Sequence, residues 1–164
     1  MMIVKSILSI DSTGRCIMKL NIEKGNLFDL PNNYVLCQCI SLDCAMGLGI
    51  ALEFNKYFPG IREYSKQYTI EHGCVVTSIV PYTYENRTAI SLITKSIYSH
   101  KPTYNTLKRS LLRLKNYCIN ENIKYLGLPA LGCGIDKLDI YLVLEIIRRT
   151  FENTDLMIEV RLKE

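Results

Sequence analysis

The sequence predicts an α/β fold in which a largely parallel sheet is covered by helices on both faces. Two observations favour it: short apolar runs alternate with segments of helical periodicity, and the 164 residues match the size of one domain. Strands that alternate with helices in this way form parallel sheets buried on both sides. Ligands of such folds bind outside the carboxyl ends of the strands.

The N-terminal half contains two predicted strands and two predicted helices. Residues 16–25 alternate apolar and polar side chains up to Gly25, and 35–40 are a short apolar run, so both are predicted strands. Residues 48–58 place apolar side chains at helical spacing, and Pro59-Gly60 ends that helix. A second helix is predicted over 61–70.

The C-terminal half begins with two strands, 74–80 and 88–94, predicted to pair around the turn Tyr84-Glu85-Asn86. A long helix is predicted after Thr103, a suitable N-cap, because leucines recur every three to four residues. The last elements are a strand over 124–130, a helix over 139–151 with Leu142, Ile146 and Phe151 facing inward, and a strand over 156–162.

Composition excludes several classes of protein. Hydrophobic residues make up 48% and charged residues 22%, which is typical of a globular chain and not of a disordered one. No apolar run reaches the roughly 18 residues of a membrane span, and the first ten residues lack a secretory pattern. We therefore expect no association with membranes.

The seven cysteines and two histidines do not have metal-ligand spacing. No CxxC pair occurs, and His72 and His100 have no nearby histidine partner, so a zinc site is disfavoured. The cysteines lie in apolar surroundings, which indicates small buried side chains. We expect a reducing compartment, the cytoplasm or the nucleus.

Two glycine-rich loops follow predicted strands and enter predicted helices, at 41–51 and 131–136. Glycines let backbone N–H groups approach a ligand, and the following helix N-terminus favours an anion, so together the loops could hold a diphosphate. Neither loop fits a dinucleotide or P-loop fingerprint. Each also fits an ordinary connection between strand and helix.

Lys95 and Asp136 are the candidate chemical groups beside these loops. Lys95 ends a predicted strand and could act as a nucleophile in a desolvated site, although lysine at a strand end is more often solvated. Asp136 ends the second loop, where a helix N-cap is an equally simple role. Residues 86–120 contain seven Lys or Arg and no acidic residue, which indicates either a solvated face or a polyanion surface.

Taken together, these segments resemble the macrodomain family, modules that bind ADP-ribose, and within it the terminal ADP-ribose protein glycohydrolase branch. The likeness covers about residues 17 to 160 with its motifs in the same order. The matching segments are Gly25-Asn26-Leu27-Phe28, CISLDCAMGLGIALEF (39–54), LITKSIYSHKPTY (92–104), LPALGCGID (128–136) and FENTDLMIEV (151–160).

The resemblance implies a three-layer α/β/α fold around a mixed, mostly parallel six-stranded sheet. The macrodomain would span 17–164, and residues 1–16 would be an N-terminal extension or an extra edge strand. It also implies a set of residues that bind ADP-ribose. They are Asn26, Leu27, Ser41, Met46, Gly47, Gly49, Ile50, Leu131, Gly132, Cys133, Gly134 and Ile135.

The resemblance further implies a reaction. Lys95 would attack the anomeric carbon of an ADP-ribose esterified to a glutamate or aspartate side chain, and Asp136 would serve as general acid and base. No metal or cofactor is needed. The expected partners are ADP-ribose and mono-ADP-ribosylated proteins, with poly(ADP-ribose) as a further candidate, and a monomer is the default state.

Three departures from the family pattern bear on the site. Asn26 replaces an acidic residue expected at the adenine amino group, Ala130 replaces a basic residue, and the ending 161–164 differs. The alternatives are a reader that binds ADP-ribose without cleaving it and an ADP-ribose-1″-phosphate phosphatase or O-acetyl-ADP-ribose deacetylase. Nucleic-acid binding by 86–120 is disfavoured, because a net charge of +4 is modest.

Overall fold

The computed structural model describes residues 6–10, 12–14 and 16–163, which form one sheet between two layers of helices. The elements, in chain order, are β1 (Ser6–Ile10), β2 (Cys16–Lys24), β3 (Val35–Ser41), α1 (Ile50–Tyr57), α2 (Ile61–Glu71), β4 (Ile79–Tyr84), β5 (Arg87–Lys95), α3 (Tyr104–Asn120), β6 (Tyr125–Leu128), α4 (Ile140–Phe151) and β7 (Met157–Leu162). A short 3-10 turn, Leu27–Asp29, follows β2.

The strands are arranged in the order β1-β2-β7-β6-β3-β5-β4. The five central strands are parallel, whereas β1 and β4 pair antiparallel with their neighbours at the two edges. Strands β2 to β7 form the mixed, mostly parallel six-stranded sheet that was expected, and β1 adds a seventh strand beside β2. The carboxyl ends of the parallel strands meet at one edge, where the site lies.

Each face of the sheet carries its own apolar core. Helices α3 and α4 cover one face, where Leu107, Leu111 and Leu114 are fully buried. Helices α1 and α2 and the 3-10 turn cover the other face, around Phe54 and Phe58. Thr103 caps α3 by accepting from the N–H of Thr106, which confirms the predicted start of that helix.

In two helices, α4 and α1, the apolar side chains that are buried differ from those that the sequence predicted. In α4 the buried side chains are Val143, Ile147 and Phe151, whereas Leu142 is exposed, so only Phe151 of the predicted inward set is fully buried. Helix α1 begins at Ile50 rather than at residue 48. Leu48 lies before the helix and Leu52 lies within it, and both side chains are exposed.

The predicted strand over 74–80 is also wrong in its first half. Val75 and Ser78 close a turn through a backbone hydrogen bond, and Thr77 has a positive φ of 90°, which no strand residue adopts. Strand β4 therefore begins at Ile79. The hairpin to β5 is as predicted, with Tyr84 opposite Arg87.

Strand β5 contains a β-bulge just before its end. Ile40 of β3 pairs with Ile93, but the next residue, Ser41, pairs with Lys95, so Thr94 is an extra residue. A bulge of this kind bends the strand and re-aims the side chains beside it. It lies directly before the lysine singled out from the sequence.

None of the helices in the described ranges is long and apolar enough to cross a membrane. The described cysteines are free thiols, and Cys37 and Cys118 are fully buried in the core beneath α3.

Candidate active site

A cleft of about 860 Å³ opens at the carboxyl edge of the parallel strands. Its walls come from the segment after β2, the loops after β3 and β6, the end of β5 and the end of β7. Of the fourteen residues predicted for the site, thirteen line this cleft. They are Asn26, Leu27, Ser41, Met46, Gly47, Gly49, Ile50, Lys95, Leu131, Gly132, Gly134, Ile135 and Asp136.

Cys133 is the exception, since its side chain does not line the cleft, and its contact with ADP-ribose stays a prediction. Its side chain packs against the core beneath α3 and α4, and its thiol donates to the carbonyl of Leu131 at 3.4 Å. Its backbone N–H donates to the Ala130 carbonyl at 3.0 Å. Burial raises the pKa of the Cys133 thiol to about 11, so it stays protonated and packs as an apolar side chain.

The loop after β6 offers backbone N–H donors to the cleft, among them those of Gly134 and Ile135. The N–H of Leu131 is already committed to the Pro129 carbonyl at 2.8 Å. Within residues 6–10, 12–14 and 16–163, the N–H groups of Gly134 and Ile135 find no protein acceptor. A phosphate in the cleft could therefore accept from Gly134 and Ile135.

The loop after β3 is organised by the carboxylate of Asp43. The Ser41 hydroxyl donates to it, and so do the N–H groups of Ala45 and Tyr98, each at 3.3 Å. Burial alone would raise the pKa of Asp43, but these hydrogen bonds together lower it below its ordinary value. Ala45 lies in the loop after β3 and Tyr98 lies in the loop after β5, so the Asp43 carboxylate connects these two loops.

Lys95 and Asp136 form an ion pair that faces the cleft. The lysine Nζ lies 2.7 Å from Asp136 Oδ1, and the two side chains are only 12% and 14% exposed. Asp136 is not the N-cap of α4, since Asp139 accepts from the N–H groups at the start of that helix. The structure thus joins the two candidate chemical groups, which lie 41 residues apart in sequence.

A second lysine braces the loop that carries Asp136. Lys101 Nζ donates to the Ile135 carbonyl at 2.9 Å, and the Asp139 N–H donates to the Tyr104 hydroxyl at 3.0 Å. The two contacts tie the start of α3 and the residues just before it to the segment before α4. Lys101 lies within the SHKPTY motif but was not among the residues predicted for the site.

Cys39 lies in the cleft wall near this ion pair. Burial, together with the negative charge of Asp136, raises the pKa of its thiol to about 12. The thiol therefore stays neutral at physiological pH and contributes no charge beside Lys95. Among the described residues, no group of three or more His, Cys, Asp or Glu could hold a metal ion.

The far end of the cleft is formed by the 3-10 turn after β2. Asn26 caps this turn, with its Oδ1 accepting from the Phe28 N–H at 2.9 Å. Arg87 fixes the turn from below by donating to the carbonyls of Phe28 and Leu30. Arg161, which belongs to the C-terminal ending that departs from the family pattern, lines this end beside Gly25.

The chain is similar to curated proteins named ADP-ribose glycohydrolase OARD1. It is 39% identical to the one from Bos taurus over 142 residues, which are 87% of this chain and 90% of that protein. The one from Homo sapiens is 38% identical over the same shares of the two chains. No family model matches the chain.

Solved structures share the fold. The macrodomain of Thermus aquaticus DarG superposes with a TM-score of 0.80 at 21% identity, covering 88% of this chain and 98% of that one. Thermosipho africanus DarTG in complex with ADP-ribose superposes with a TM-score of 0.76 at 18% identity, covering 89% and 41% of the two chains. With its sheet order, its cleft and these relatives, the chain belongs to the macrodomain family that includes the OARD1 proteins.

Proposed function

We propose that this protein is a hydrolase that removes ADP-ribose from glutamate or aspartate side chains of mono-ADP-ribosylated proteins. The observation that carries the proposal is the Lys95–Asp136 pair, with its 2.7 Å contact at the wall of an 860 Å³ cleft. A cleft of this size suits a ligand as large as ADP-ribose. The curated relatives are named ADP-ribose glycohydrolases, which supports the same activity here.

The proposed reaction begins when Asp136 takes a proton from Lys95. The free amine attacks the anomeric carbon and forms a C–N bond as the C–O bond to the target's carboxylate breaks. The carboxylate leaves with the bonding electrons and takes the proton that Asp136 holds. The sugar ring of the lysine adduct can then open to a protonated imine, with an N–H proton passing to the ring oxygen. Water then replaces the lysine nitrogen with help from Asp136 as general base, which releases ADP-ribose and restores the amine.

The rest of the cleft would bind the ligand along its length. The reacting ribose would lie at the loop after β3, and the diphosphate would accept from the N–H groups of Gly134 and Ile135. The adenine would lie against the turn that Asn26 caps. Asn26 Oδ1 already accepts from Phe28, but a carbonyl oxygen has two lone pairs and can accept a second hydrogen bond from the adenine amino group.

Release of free ADP-ribose from a protein mono-ADP-ribosylated on glutamate tests the proposal. We expect the wild type to release it, and we expect Lys95→Ala and Asp136→Ala to lose more than about 100-fold in rate. Calorimetry should show that both variants still bind ADP-ribose, because the loops that hold the diphosphate are unchanged. Lys108→Ala, an exposed lysine of α3, is the matched control and should behave as wild type.

A covalent adduct gives a second test. Cyanoborohydride added during turnover should fix ADP-ribose on the peptide that contains Lys95, which mass spectrometry detects. Tight binding without release by the wild type would make the protein a reader of ADP-ribose. Release from ADP-ribose-1″-phosphate or O-acetyl-ADP-ribose alone would assign it the alternative hydrolase activity.

A further inference from the structure

Exposed apolar side chains surround the mouth of the cleft beside the reacting groups. Leu48 lies in the loop after β3, Tyr98 in the loop after β5 and Ile135 in the loop after β6, and each is more than half exposed. All three line the cleft together with Lys95 and Asp136. We call these three residues the apolar rim. Large apolar side chains that stay exposed together at one place mark a surface for a partner.

The loops that carry the rim are held against one another. A Cβ added to Gly49 would lie 3.3 Å from Cδ1 of Ile135, so the loops after β3 and β6 are in contact there. The Tyr98 N–H donates to the Asp43 carboxylate at 3.3 Å, and Lys101 Nζ donates to the Ile135 carbonyl at 2.9 Å. The backbones of Tyr98 and Ile135 are thus fixed, although their side chains remain exposed to solvent.

The proposed reaction places the modified protein at this mouth. The bond that breaks joins the reacting carbon, next to Lys95, to a glutamate or aspartate side chain of the target. An extended glutamate side chain spans only about 5 Å from its carboxylate oxygen to its Cα. Lys95 and Asp136 are largely but not fully buried, so they lie just beneath the surface. The main chain of the target therefore passes over the mouth and contacts the residues around it.

The charges around the mouth favour an acidic polypeptide as the occupant. Lys101 and Lys137 are exposed and follow Tyr98 and Ile135 by three and two residues. Within the part of the chain that the structure describes, neither lysine pairs with a carboxylate. A second copy of this chain, with its net charge of +4, would be repelled. Nucleic acid is disfavoured, because the aliphatic side chains of Leu48 and Ile135 offer no polar group to a phosphate.

We propose that the apolar rim binds an apolar side chain next to the modified glutamate or aspartate, so that the enzyme selects targets by the sequence around the modification. The inference rests on the proposed function, since it assumes that the target's carboxylate is bonded to a carbon at Lys95. Further acidic residues of the target would face Lys101 and Lys137. Leu48 and Tyr98 act by binding alone, so KM depends on the target sequence and kcat does not.

Two synthetic peptides, each ADP-ribosylated on one central glutamate, test the inference. Leucine flanks the glutamate in one peptide and serine flanks it in the other. We expect the wild type to have a kcat/KM about five- to tenfold higher for the leucine-flanked peptide, through a lower KM, because part of a leucine side chain leaves water. Leu48→Ser and Tyr98→Ser should each lower this ratio about twofold or more, and the double variant should bring it to about one.

Ile119→Ser is the matched control, since Ile119 is similarly exposed but lies at the C-terminal end of α3 and does not line the cleft. Its ratio should equal that of the wild type. Because the readout is a ratio measured within one variant, a partly unfolded preparation does not change it.

Three outcomes would contradict these proposals. Equal kcat/KM values for the two peptides in the wild type, or a ratio that the double variant leaves unchanged, would overturn the inference alone. Faster release from an oligonucleotide ADP-ribosylated on its terminal phosphate than from either peptide would assign the mouth to nucleic acid and also overturn it. Absence of release from both peptides by the wild type would instead overturn the proposed function.

Discussion

Replacing Gly127 with alanine tests whether close packing beneath the 3-10 turn sets the shape of the end of the cleft that this turn forms. Gly127 lies in β6, directly under that turn. A Cβ there would lie 2.7 Å from Leu30, 2.8 Å from Leu36 and 3.3 Å from Leu27. Normal carbon contacts begin near 3.5 Å, so the nearest methyl would have to move by about 0.8 Å.

The three leucines have little room to move, because each is at most 5% exposed. Overpacking of this kind costs about 1–3 kcal/mol, and the lower entropy of the unfolded alanine chain returns about 0.4–1 kcal/mol. We therefore expect Gly127→Ala to lower the free energy of unfolding by about 1–2 kcal/mol. Because Leu27 lines the cleft, the KM for the ADP-ribosylated substrate should rise while kcat changes little.

Urea denaturation followed by far-UV circular dichroism measures the first effect. With an m-value of about 2 kcal/mol/M, the midpoint should fall by about 0.5–1 M. Gly134→Ala is the matched control for stability, since no heavy atom lies within 4 Å of its added Cβ, and its midpoint should equal that of the wild type. A Gly127→Ala midpoint within about 0.2 M of wild type would refute the packing argument.

Two further predictions concern buried polar groups. Arg87→Ala removes the donors to the carbonyls of Phe28 and Leu30, so urea denaturation should show a loss of about 1–3 kcal/mol, with a higher KM and an unchanged kcat. Burial raises the pKa of Cys39 and Cys118 to about 12 from 9.0, so both stay protonated when folded while the unfolded thiols ionise. Stability is therefore full below about pH 9 and falls above it, by about 1.4 kcal/mol per pH unit for each thiol, up to about pH 12. Denaturation between pH 8.5 and 10 should show a smaller slope for Cys118→Ala, and an equal slope would contradict this account.

Local sequence signals predicted most elements because their causes are local. Pro59-Gly60 prevents α1 from continuing, whatever the tertiary contacts are. Thr103 caps α3 through a hydrogen bond within the first turn of that helix. The strand predicted over residues 74–78 was wrong, because its structure has a non-local cause. Their β-branched side chains favour a strand, but hydrogen bonds of Thr77 and Ser78 to Ile93 hold the segment as a turn beside β5.

The inward face of α4 could not be read from its sequence, because Leu142 and Val143 are both apolar and either could begin a stripe of helical spacing. The choice depends on how the helix docks on the sheet. In the site, the positions of the two glycine loops, Lys95 and Asp136 followed from where strands end. Arg161 was recognised only as part of an ending that departs from the family pattern, because its place in the cleft depends on the pairing of β7 with β2, which links residues about 140 positions apart.

The extra residue at Thr94 means that the position of the Lys95 amine depends on the length of β5 as well as on the identity of its last residue. Deleting that one residue would restore regular pairing with β3 and shift every following side chain by one step of the pleat. A lysine at the end of an uninterrupted strand is therefore not equivalent to this one. Engineers who transplant the site into another sheet must copy the irregularity together with the amino acid.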